Sequence, residues 1–528
     1  MAEPNPTEVA PWYLRNITQA LELNEATGQV FVRTDATIVG NVTVSNVAIG
    51  SLGNVDLSNS YLPVSVTGNI AGITGNIAGI TGNITVNPIT GNVGILGNVN
   101  VTQGTSPWVV SGNVGITGNA NVVLADDANV VISGFSGPTS DAFGRLRVSE
   151  PFTLFDSQNR YLDGGQFSNV TATGGTITYV SAESSFDLAV TAASGSSVIN
   201  QSYTTQPYQP GKSLLCLDTF AFGTLKANCR QRVGQFTATD GVYFEADGTA
   251  LNLVIRSSSS GSLVEQQIQQ SSWNGDRLNG AGGANNPSGL TLDPTLTQIF
   301  WCDIEWLGVG NVRAGFVING EFIVCHTFQH ANQPGNTRVY MTTATLNPRY
   351  EITNTGATSG VTTMKQICST VISEGGFQPV SSVNYVTNGT SVTRISAANT
   401  VTALASIRLN PAYPDAVVYP SQLDLLLIDV RYGEYQLIEN ATFSTSWSNV
   451  TNSVVQTAQH SSTITDGTVV FAGLTSSRDE VEIQEEVRKR LQLKRSVSGT
   501  PITLTLAVAY TQSNSDLLYK FGWEEITN

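Results

Sequence analysis

The chain has 528 residues, a formal net charge of −15, and 12% charged against 40% hydrophobic residues, where a globular protein carries about 25% charge. This length holds roughly three or four domains, with apolar material to spare for their cores. An acidic chain without a basic face excludes a nucleic-acid binder, and its charge serves to keep a large assembly soluble.

From the N-terminus, Thr7 to Leu23 reads as a helix. Thr7-Glu8 supplies a cap, Pro11 fits the first turn, and Trp12 or Tyr13, Leu14, Ile17 and Leu21 recur at helical spacing before Gly28. The expectation is an anchor that docks on another protein or on symmetry mates, or a helix folded back on its own domain. Gln29 to Asp35 alternates as a strand, with Val30 and Val32 opposed to Phe31 and Arg33. Together they make an N-terminal unit over residues 1–35. Met1-Ala2-Glu3-Pro4 opens without an apolar stretch, and no run of about 18 apolar residues follows, so neither a signal peptide nor a membrane span is expected.

Residues 36–135 are dominated by a repeat. Ile70-Ala71-Gly72-Ile73-Thr74-Gly75-Asn76 recurs unchanged as Ile77-Ala78-Gly79-Ile80-Thr81-Gly82-Asn83. Gly-Asn recurs from Gly40 to Gly118 at spacings of 6 to 15 residues. A seven-residue period suggests heptads, but a coiled coil needs helix formers and charged flanks. Here Gly and Asn favour turns, and the Ile, Val and Thr between them favour pleated strands. Such units bury no core alone and must stack on copies of themselves or on other chains. A single-chain β-solenoid and an intertwined fibre of several chains, commonly three, both fit, and the uneven spacing leans to the fibre. A disordered Gly/Asn/Thr linker is the plain alternative, opposed by the branched apolar residue in nearly every unit.

Residues 136–165 form a junction opened by Gly137-Pro138. From residue 166 to 378 strand-like runs follow at intervals of about ten residues: Thr176 to Val180, Phe186 to Val190, Ser213 to Phe222, Gln231 to Thr237, Val242 to Ala246, Leu251 to Arg256, Ile299 to Leu307, Val312 to Ile318, Glu321 to Cys325 and Arg338 to Thr343. Asp240-Gly241, Asp247-Gly248 and Asn319-Gly320 supply hairpin turns, and the Gly/Asn/Ser-rich stretch from Ser257 to Leu290 reads as long loops. Residues 379–528 form a second all-β unit. Leu423 to Val430 and Ile502 to Tyr510 are its buried strands, and Arg478 to Arg495 is a charged strand whose Ile483, Val487 and Leu491 also fit a helix face. The fold class is therefore all-β: an N-terminal helix, a Gly-Asn stalk, then two β-sandwich, jelly-roll-like domains.

Little in the chain points to chemistry. Cys216, Cys229, Cys302, Cys325 and Cys368 form no C-x-x-C pair and read as small buried residues in a reducing compartment, with a Cys216–Cys229 bridge left open. His326 and His330 have the spacing of a helical metal pair, but their segment reads as strand. No nucleophile elbow, phosphate loop or dinucleotide fingerprint occurs, so no cofactor, metal or catalytic residue is assigned and the chain is expected not to be an enzyme. Asp303 and Glu305 share a strand face beside Trp301 and Trp306, a weak signal for glycosidic cleavage. Trp273 and Trp301 are the candidate glycan contacts; the plain reading of Trp301 and Trp306 is one tryptophan in the core and one at an edge.

The segments Asp141-Ala142-Phe143-Gly144-Arg145-Leu146-Arg147-Val148-Ser149, Gly241-Val242-Tyr243-Phe244-Glu245, Ser272-Trp273-Asn274-Gly275-Asp276, Phe300 to Gly310, and Ile367-Cys368-Ser369 with Ile372 to Gly376 resemble structural proteins of tailed bacteriophages, notably marine ones. The resemblance covers roughly residues 136–378. It implies a virion protein with a lectin-like or jelly-roll domain, assembled in the host cytoplasm, and supplies no catalytic residues. The expected role is mechanical: a capsid decoration, a head or collar fibre, or a tail component. Its partners are itself, as a homotrimer, and other virion proteins, with no nucleic acid or membrane. The alternatives are a fibre module that recognises a host surface glycan and a polysaccharide depolymerase.

Overall fold

The computed structural model describes residues 21–24, 26, 29–32, 150–162, 164–429, 431–444, 446–476, 478–483 and 485–526. The chain divides into two units, Met1–Asp126 and Asp127–Asn528. In the first, β1 (Leu21–Asn24) and β2 (Gln29–Val32) pair antiparallel, with Leu21 opposite Val32 and Asn24 opposite Gln29. The expected strand after Gly28 is present. The expected helix is corrected at its end, because Leu21 to Leu23 alternate at period two as well as fitting the helical stripe, and pairing with β2 satisfies their backbone. The rest of that helix, the Gly-Asn repeat over 36–135 and the junction up to residue 149 lie outside the described residues.

The second unit is almost wholly antiparallel β. Its first lobe contains β3 (Pro151–Ser157), β4 (Phe167–Ala172), β5 (Thr176–Val180), β6 (Ser185–Val190), β7 (Ser197–Ser202), β8 (Ser213–Ala221), β9 (Cys229–Phe236), β10 (Gly241–Asp247), β11 (Ala250–Ser257), β12 (Val264–Gln269), β13 (Gln298–Ile304), β14 (Val312–Ile318), β15 (Glu321–Phe328), β16 (Pro348–Asn354) and β17 (Thr362–Glu374). Seven of these form a sheet in the order β12-β11-β10-β9-β16-β7-β4. The other eight form a second sheet in the order β15-β14-β13-β8-β17-β6-β5, with β3 also on β17. The two sheets pack face to face. Val242, Phe244 and Leu253 from one meet Cys302, Phe300 and Phe316 from the other in a single core, where the Phe244 and Phe316 rings stand edge to face with centroids 5.0 Å apart. Alternation explains the layering: each inward residue has an outward neighbour, so a strand such as Val242–Ala246 gives its even positions to the core.

The Asn319-Gly320 hairpin forms as expected. Both residues have positive φ, 55° and 82°, the twist that joins β14 to β15 tightly. Arg338 to Thr343 is not a strand. Tyr340 and Met341 are buried there, but the backbone binds a loop, with Tyr340 N–H donating to Gly308 O and Met341 O accepting from Trp306 Nε1. The stretch expected to be long loops contains the polar edge strand β12 and a short 3-10 turn at Gln270–Ser272.

The second lobe holds β18 (Ser382–Thr387), β19 (Thr393–Ile395), β20 (Thr402–Leu409), β21 (Val417–Leu427), β22 (Gly433–Glu439), β23 (Ser448–Asn449), β24 (Val455–Gln459), β25 (Thr468–Thr475), β26 (Arg478–Glu482), α1 (Glu485–Arg490), β27 (Leu504–Tyr510) and β28 (Ser515–Ile526). One sheet runs β18-β28-β21-β26, with β19 also on β28, and the other runs β23-β24-β20-β27-β22-β25. Their inner faces share a core of Leu423, Leu425, Phe521 and Trp523 against Ile407, Leu437, Leu506 and Val508. The buried Glu525 carboxylate ties the sheets together, accepting from Trp523 Nε1 (2.7 Å), Asn384 Nδ2, Val454 N–H and Ser453 Oγ. The charged stretch expected as one strand is a strand and then a helix, β26 and α1.

The lobes touch through α1 and the segment after it. Gln492 Nε2 donates to Thr205 O, Arg495 N–H to Tyr203 O and Val497 N–H to Ser168 Oγ, while Lys489 Nζ lies 3.8 Å from the Phe152 ring centre.

Candidate functional site

The residues that stand out are charged, buried and outside the cores. On the seven-stranded sheet, Val233, Val242, Phe244, Leu253, Ile255 and Ile352 face the core, so their neighbours along each strand face outward. Register then places these neighbours in rows. Glu351, Arg232, Glu245 and Asn252 lie side by side across β16, β9, β10 and β11. Arg349, Gly234, Tyr243 and Val254 form the next row, and Phe236, Gly241, Arg256 and Glu265 the third, across β9, β10, β11 and β12. Gly234 is needed where it stands: a Cβ there would lie 2.5 Å from Val242 O and 2.7 Å from Tyr243 Cα, forcing β9 away from β10.

Each carboxylate on this face is gripped by guanidinium groups. Glu351 accepts from Arg232 at 2.5 Å and Arg349 at 2.6 Å. Glu265 accepts from Arg230 at 2.8 Å, Arg256 at 2.7 Å and Tyr243 Oη at 2.7 Å. Glu245 is fully buried and takes Arg230, Asn252 Nδ2 and Gln267 Nε2. The guanidiniums also roof the rings: Arg256 lies 5.4 Å from the Phe236 centroid and 5.2 Å from that of Tyr243, and Arg349 lies 5.1 Å from Phe236. Stacking of this kind explains how Phe236, Tyr243 and Val254 reach zero exposure on a face turned away from the core.

The electrostatics separate the three acids. Burial alone would raise Glu265, but hydrogen bonds from Arg230, Tyr243 and Arg256 outweigh it and hold the carboxyl at about 2. Burial likewise opposes ionisation of Glu351, and the charges of Arg349 and Arg232 overcome it and lower its pKa. At Glu245 burial wins over Arg230 and Arg232, and the pKa rises. Neighbouring acids whose pKa values are pushed apart are what a general acid and base require. Here, however, the oxygens are occupied by guanidinium, amide and phenol donors, so the face offers a fixed sheet surface rather than a free nucleophile. Arg232 Nε is buried without an acceptor among the described residues.

The residues singled out from the sequence lie elsewhere. Trp273 is 1% exposed; its Nε1 donates to Ile268 O and its ring stacks on Phe316. Trp301 is 3% exposed and meets Phe322 edge to face at 5.4 Å. Neither indole offers the exposed flat ring that a sugar stacks on. Trp306 is only partly buried and packs at the margin of the core. Asp303 is paired with Arg313 and largely buried, while Glu305 lies beyond the end of β13 and accepts from Asn311 N–H, so the two do not face one substrate position. His326 Nδ1 accepts from Asn274 N–H, and His330 stacks on Tyr340 at 4.0 Å. Burial lowers the pKa of both. No group of three metal-ligating side chains occurs among the described residues. All five cysteines are free thiols. Cys216 lies opposite Cys302 on β13 while Cys229 belongs to the other sheet, so the bridge left open between Cys216 and Cys229 does not form. His460 Nε2 lies 3.0 Å from Ser406 Oγ, but Ser406 is a fully buried mid-strand residue and cannot meet a substrate.

Sequence reasoning missed the Arg–Glu face, although a signal for it exists. Arg230-x-Arg232 and Arg349-x-Glu351 alternate with buried residues inside strands of a chain that carries few charges.

No protein-family model matches the sequence, and no curated protein resembles it at a significant level. Several solved structures are similar to part of it. A β-1,3-glucanase from Mycobacterium marinum is 12% identical over 42% of this chain and 98% of its own, with a TM-score of 0.29. The CBM2 module of the evolved Dit of Lactobacillus casei BL23 phage J-1 is 7% identical over 44% of this chain and 100% of its own, with a TM-score of 0.28. The carbohydrate recognition domain of Emp47p is 10% identical over 45% of this chain and 100% of its own, with a TM-score of 0.26. No residue role is carried over from them.

Proposed function

We propose that this chain is a structural component of a tailed-bacteriophage particle, acting mechanically through assembly with copies of itself and with other virion proteins. The observation that carries the reading is where the phage-like segments fall. Tyr243 and Phe244 lie on β10, Trp301 and Cys302 on β13, and Ile367 to Glu374 on β17. Ser272 to Asp276 docks on β15 through Gly275 N–H to Cys325 O and Asp276 N–H to Val324 O. The shared residues therefore build framework rather than line a reaction centre, as expected of proteins related by architecture. Purified particles probed with antibody to this chain, with copy number measured by quantitative mass spectrometry, test the reading. A fixed copy number in multiples of the local symmetry is expected, and a chain found only in the soluble lysate overturns it.

A glycan-recognising fibre module is the second reading, favoured by one exposed aromatic. Phe322 is 52% exposed and lies against Trp301. Phe322→Ala is expected to abolish binding to a glycan array of host surface polysaccharides without unfolding the lobe. An array that is flat for the native chain removes this reading.

A further inference from the structure

The chain contains four Asn-Gly pairs, beginning at Asn274, Asn279, Asn319 and Asn388. In such a pair the backbone nitrogen after the asparagine can attack the side-chain amide, because glycine leaves that nitrogen uncrowded. In three of the pairs the fold holds both reacting groups. Asn274 Nδ2 donates to Thr327 O and its Oδ1 accepts from Thr327 N–H, while Gly275 N–H donates to Cys325 O at 2.9 Å. Asn279 Oδ1 accepts from Ala281 N–H and Asn286 Nδ2, and Gly280 N–H donates to Leu290 O at 3.0 Å. Asn388 Nδ2 donates to Thr393 Oγ1 and Leu517 O, its Oδ1 accepts from Tyr519 N–H, and Gly389 N–H donates to Thr387 Oγ1 at 3.0 Å. Asn319 differs. It stands with Gly320 at the tip of the β14–β15 hairpin, between the paired residues Ile318 and Glu321. Both tip residues are exposed, and neither the Asn319 amide nor the Gly320 N–H has a hydrogen-bond partner among the described residues. A Cβ added at Gly320 would meet nothing within 4 Å.

We propose that Asn319 is a site of spontaneous covalent modification, which loses its amide to water while the other three Asn-Gly pairs keep theirs. The inference goes beyond the particle role and does not rest on it. The Gly320 nitrogen gives its proton to hydroxide and bonds to Asn319 Cγ. The Cγ–Nδ2 bond then breaks, and ammonia leaves with a proton from water. The five-membered imide that remains takes up one water at either carbonyl, and nothing is oxidised or reduced. Opening at the side-chain carbonyl gives aspartate at position 319. Opening at the main-chain carbonyl gives isoaspartate, whose backbone runs through the side-chain carbons. Ring closure needs rotation about the Asn319 Cα–C bond, out of a turn in which Asn319 has φ 55° and Gly320 82°. At this tip only the turn itself resists that rotation, whereas the other pairs must also break the bonds that hold them. Both products add a carboxylate beside Glu321. Isoaspartate also lengthens the main chain of a turn whose geometry is matched to its two residues. β15 is an edge strand whose one neighbour in the sheet order is β14. Modification therefore loosens the start of β15 at Glu321 and Phe322, while its far end stays fastened through Thr327 to Asn274.

The test uses the full chain, aged in mildly alkaline buffer and then mapped by peptide mass spectrometry with fragmentation that separates aspartate from isoaspartate. Asn319 is expected to lose its amide roughly tenfold faster than Asn274, Asn279 or Asn388, since each of those must first open a bonded structure. Isoaspartate is expected among the products, and the rate is expected to rise with hydroxide. In urea the four pairs are expected to react at similar rates, because the bonds that set them apart are gone. Any of the other three reacting as fast as Asn319 in the folded chain, or the same ranking persisting in urea, overturns the assignment. Hydrogen exchange at Phe322 is expected to be faster in the aged chain than in the fresh one. Isoaspartate at position 319 with unaltered exchange at Phe322 overturns the loosening of β15. Asn319→Gln, whose longer amide would have to close a larger ring, is expected to keep the exchange of the fresh chain on ageing. A folded Asn319→Gln chain that loosens on ageing as the native chain does overturns the link between the two.

Discussion

Asp218 shows how a single side chain sets a condition on the whole first lobe. It lies fully buried between the sheets. One oxygen accepts from Gln235 Nε2 at 3.0 Å, and the other has no partner among the described residues. The titratable groups that act on it are Cys216 on its own strand, Cys368 on β17 and Tyr350 on β16, all thiols or a phenol, so no cation compensates its charge. Burial therefore pushes its carboxyl up to about 7, against ~3.9 in an unfolded chain. The folded lobe keeps a proton that the unfolded chain releases. Stability from this group is complete below about pH 4, falls as pH rises towards 7, and is lost above that, a span of ~4 kcal/mol. Asp218→Asn should flatten that slope: the difference in stability between variant and native chain, followed by urea unfolding from pH 4 to 8, grows in favour of the variant as pH rises. An unchanged slope would mean the carboxyl is ionised and compensated throughout. The same physics explains why this residue was silent in the sequence. An aspartate in Leu-Cys-Leu-Asp-Thr-Phe looks like an outward residue of a strand, and only the strand's phase against β17 turns it inward. The Arg–Glu face was hidden for the opposite reason: its charges look solvated until four strands bring them into one row.

At the level of elements, the legible parts were those where local chemistry decides. The strands Thr176–Val180 and Val312–Ile318 carry their own period-two pattern and stand where the sequence puts them. Asn319-Gly320 closes its hairpin because both residues accept positive φ. Gly320→Ala should cost about 1 kcal/mol, since φ is +82° there while the space is open, and a thermal melt should show a small fall in Tm with no loss of fold. A drop as large as that of a core truncation would mean the turn bears more than strain. Illegible elements were those decided by neighbours. Val264–Gln269 has no apolar alternation and is a strand because β11 pairs with it. Arg338 to Thr343 has strand residues but binds a loop. The candidate tryptophans failed as an exposed pair for a related reason: composition shows that an indole is present, whereas burial depends on which sheet face it inherits.

On the scale of the whole second unit, two sandwiches share contacts made by residues far apart in sequence. Gln492, buried and bonded to Thr205 O, belongs to the second lobe and caps backbone of the first. The lobes are expected to unfold in one transition in the native chain. Gln492→Ala should leave a buried carbonyl unpaired at a cost of about 1–3 kcal/mol and separate the calorimetric trace into two peaks. A native trace already resolved into two peaks would contradict the coupling. None of this was readable from the segment Leu491 to Val497, because the partner of Gln492 lies 287 residues earlier in the chain.

That lobe contact has a mechanical consequence. The direct covalent route between the sandwiches is the short stretch between β17 and β18, yet the grip of Gln492, Arg495 and Val497 on Thr205, Tyr203 and Ser168 gives tension a second path. A tug on the far lobe is then shared between the tether and a sheared clasp, so the tether does not have to stretch before the neighbouring lobe feels the load.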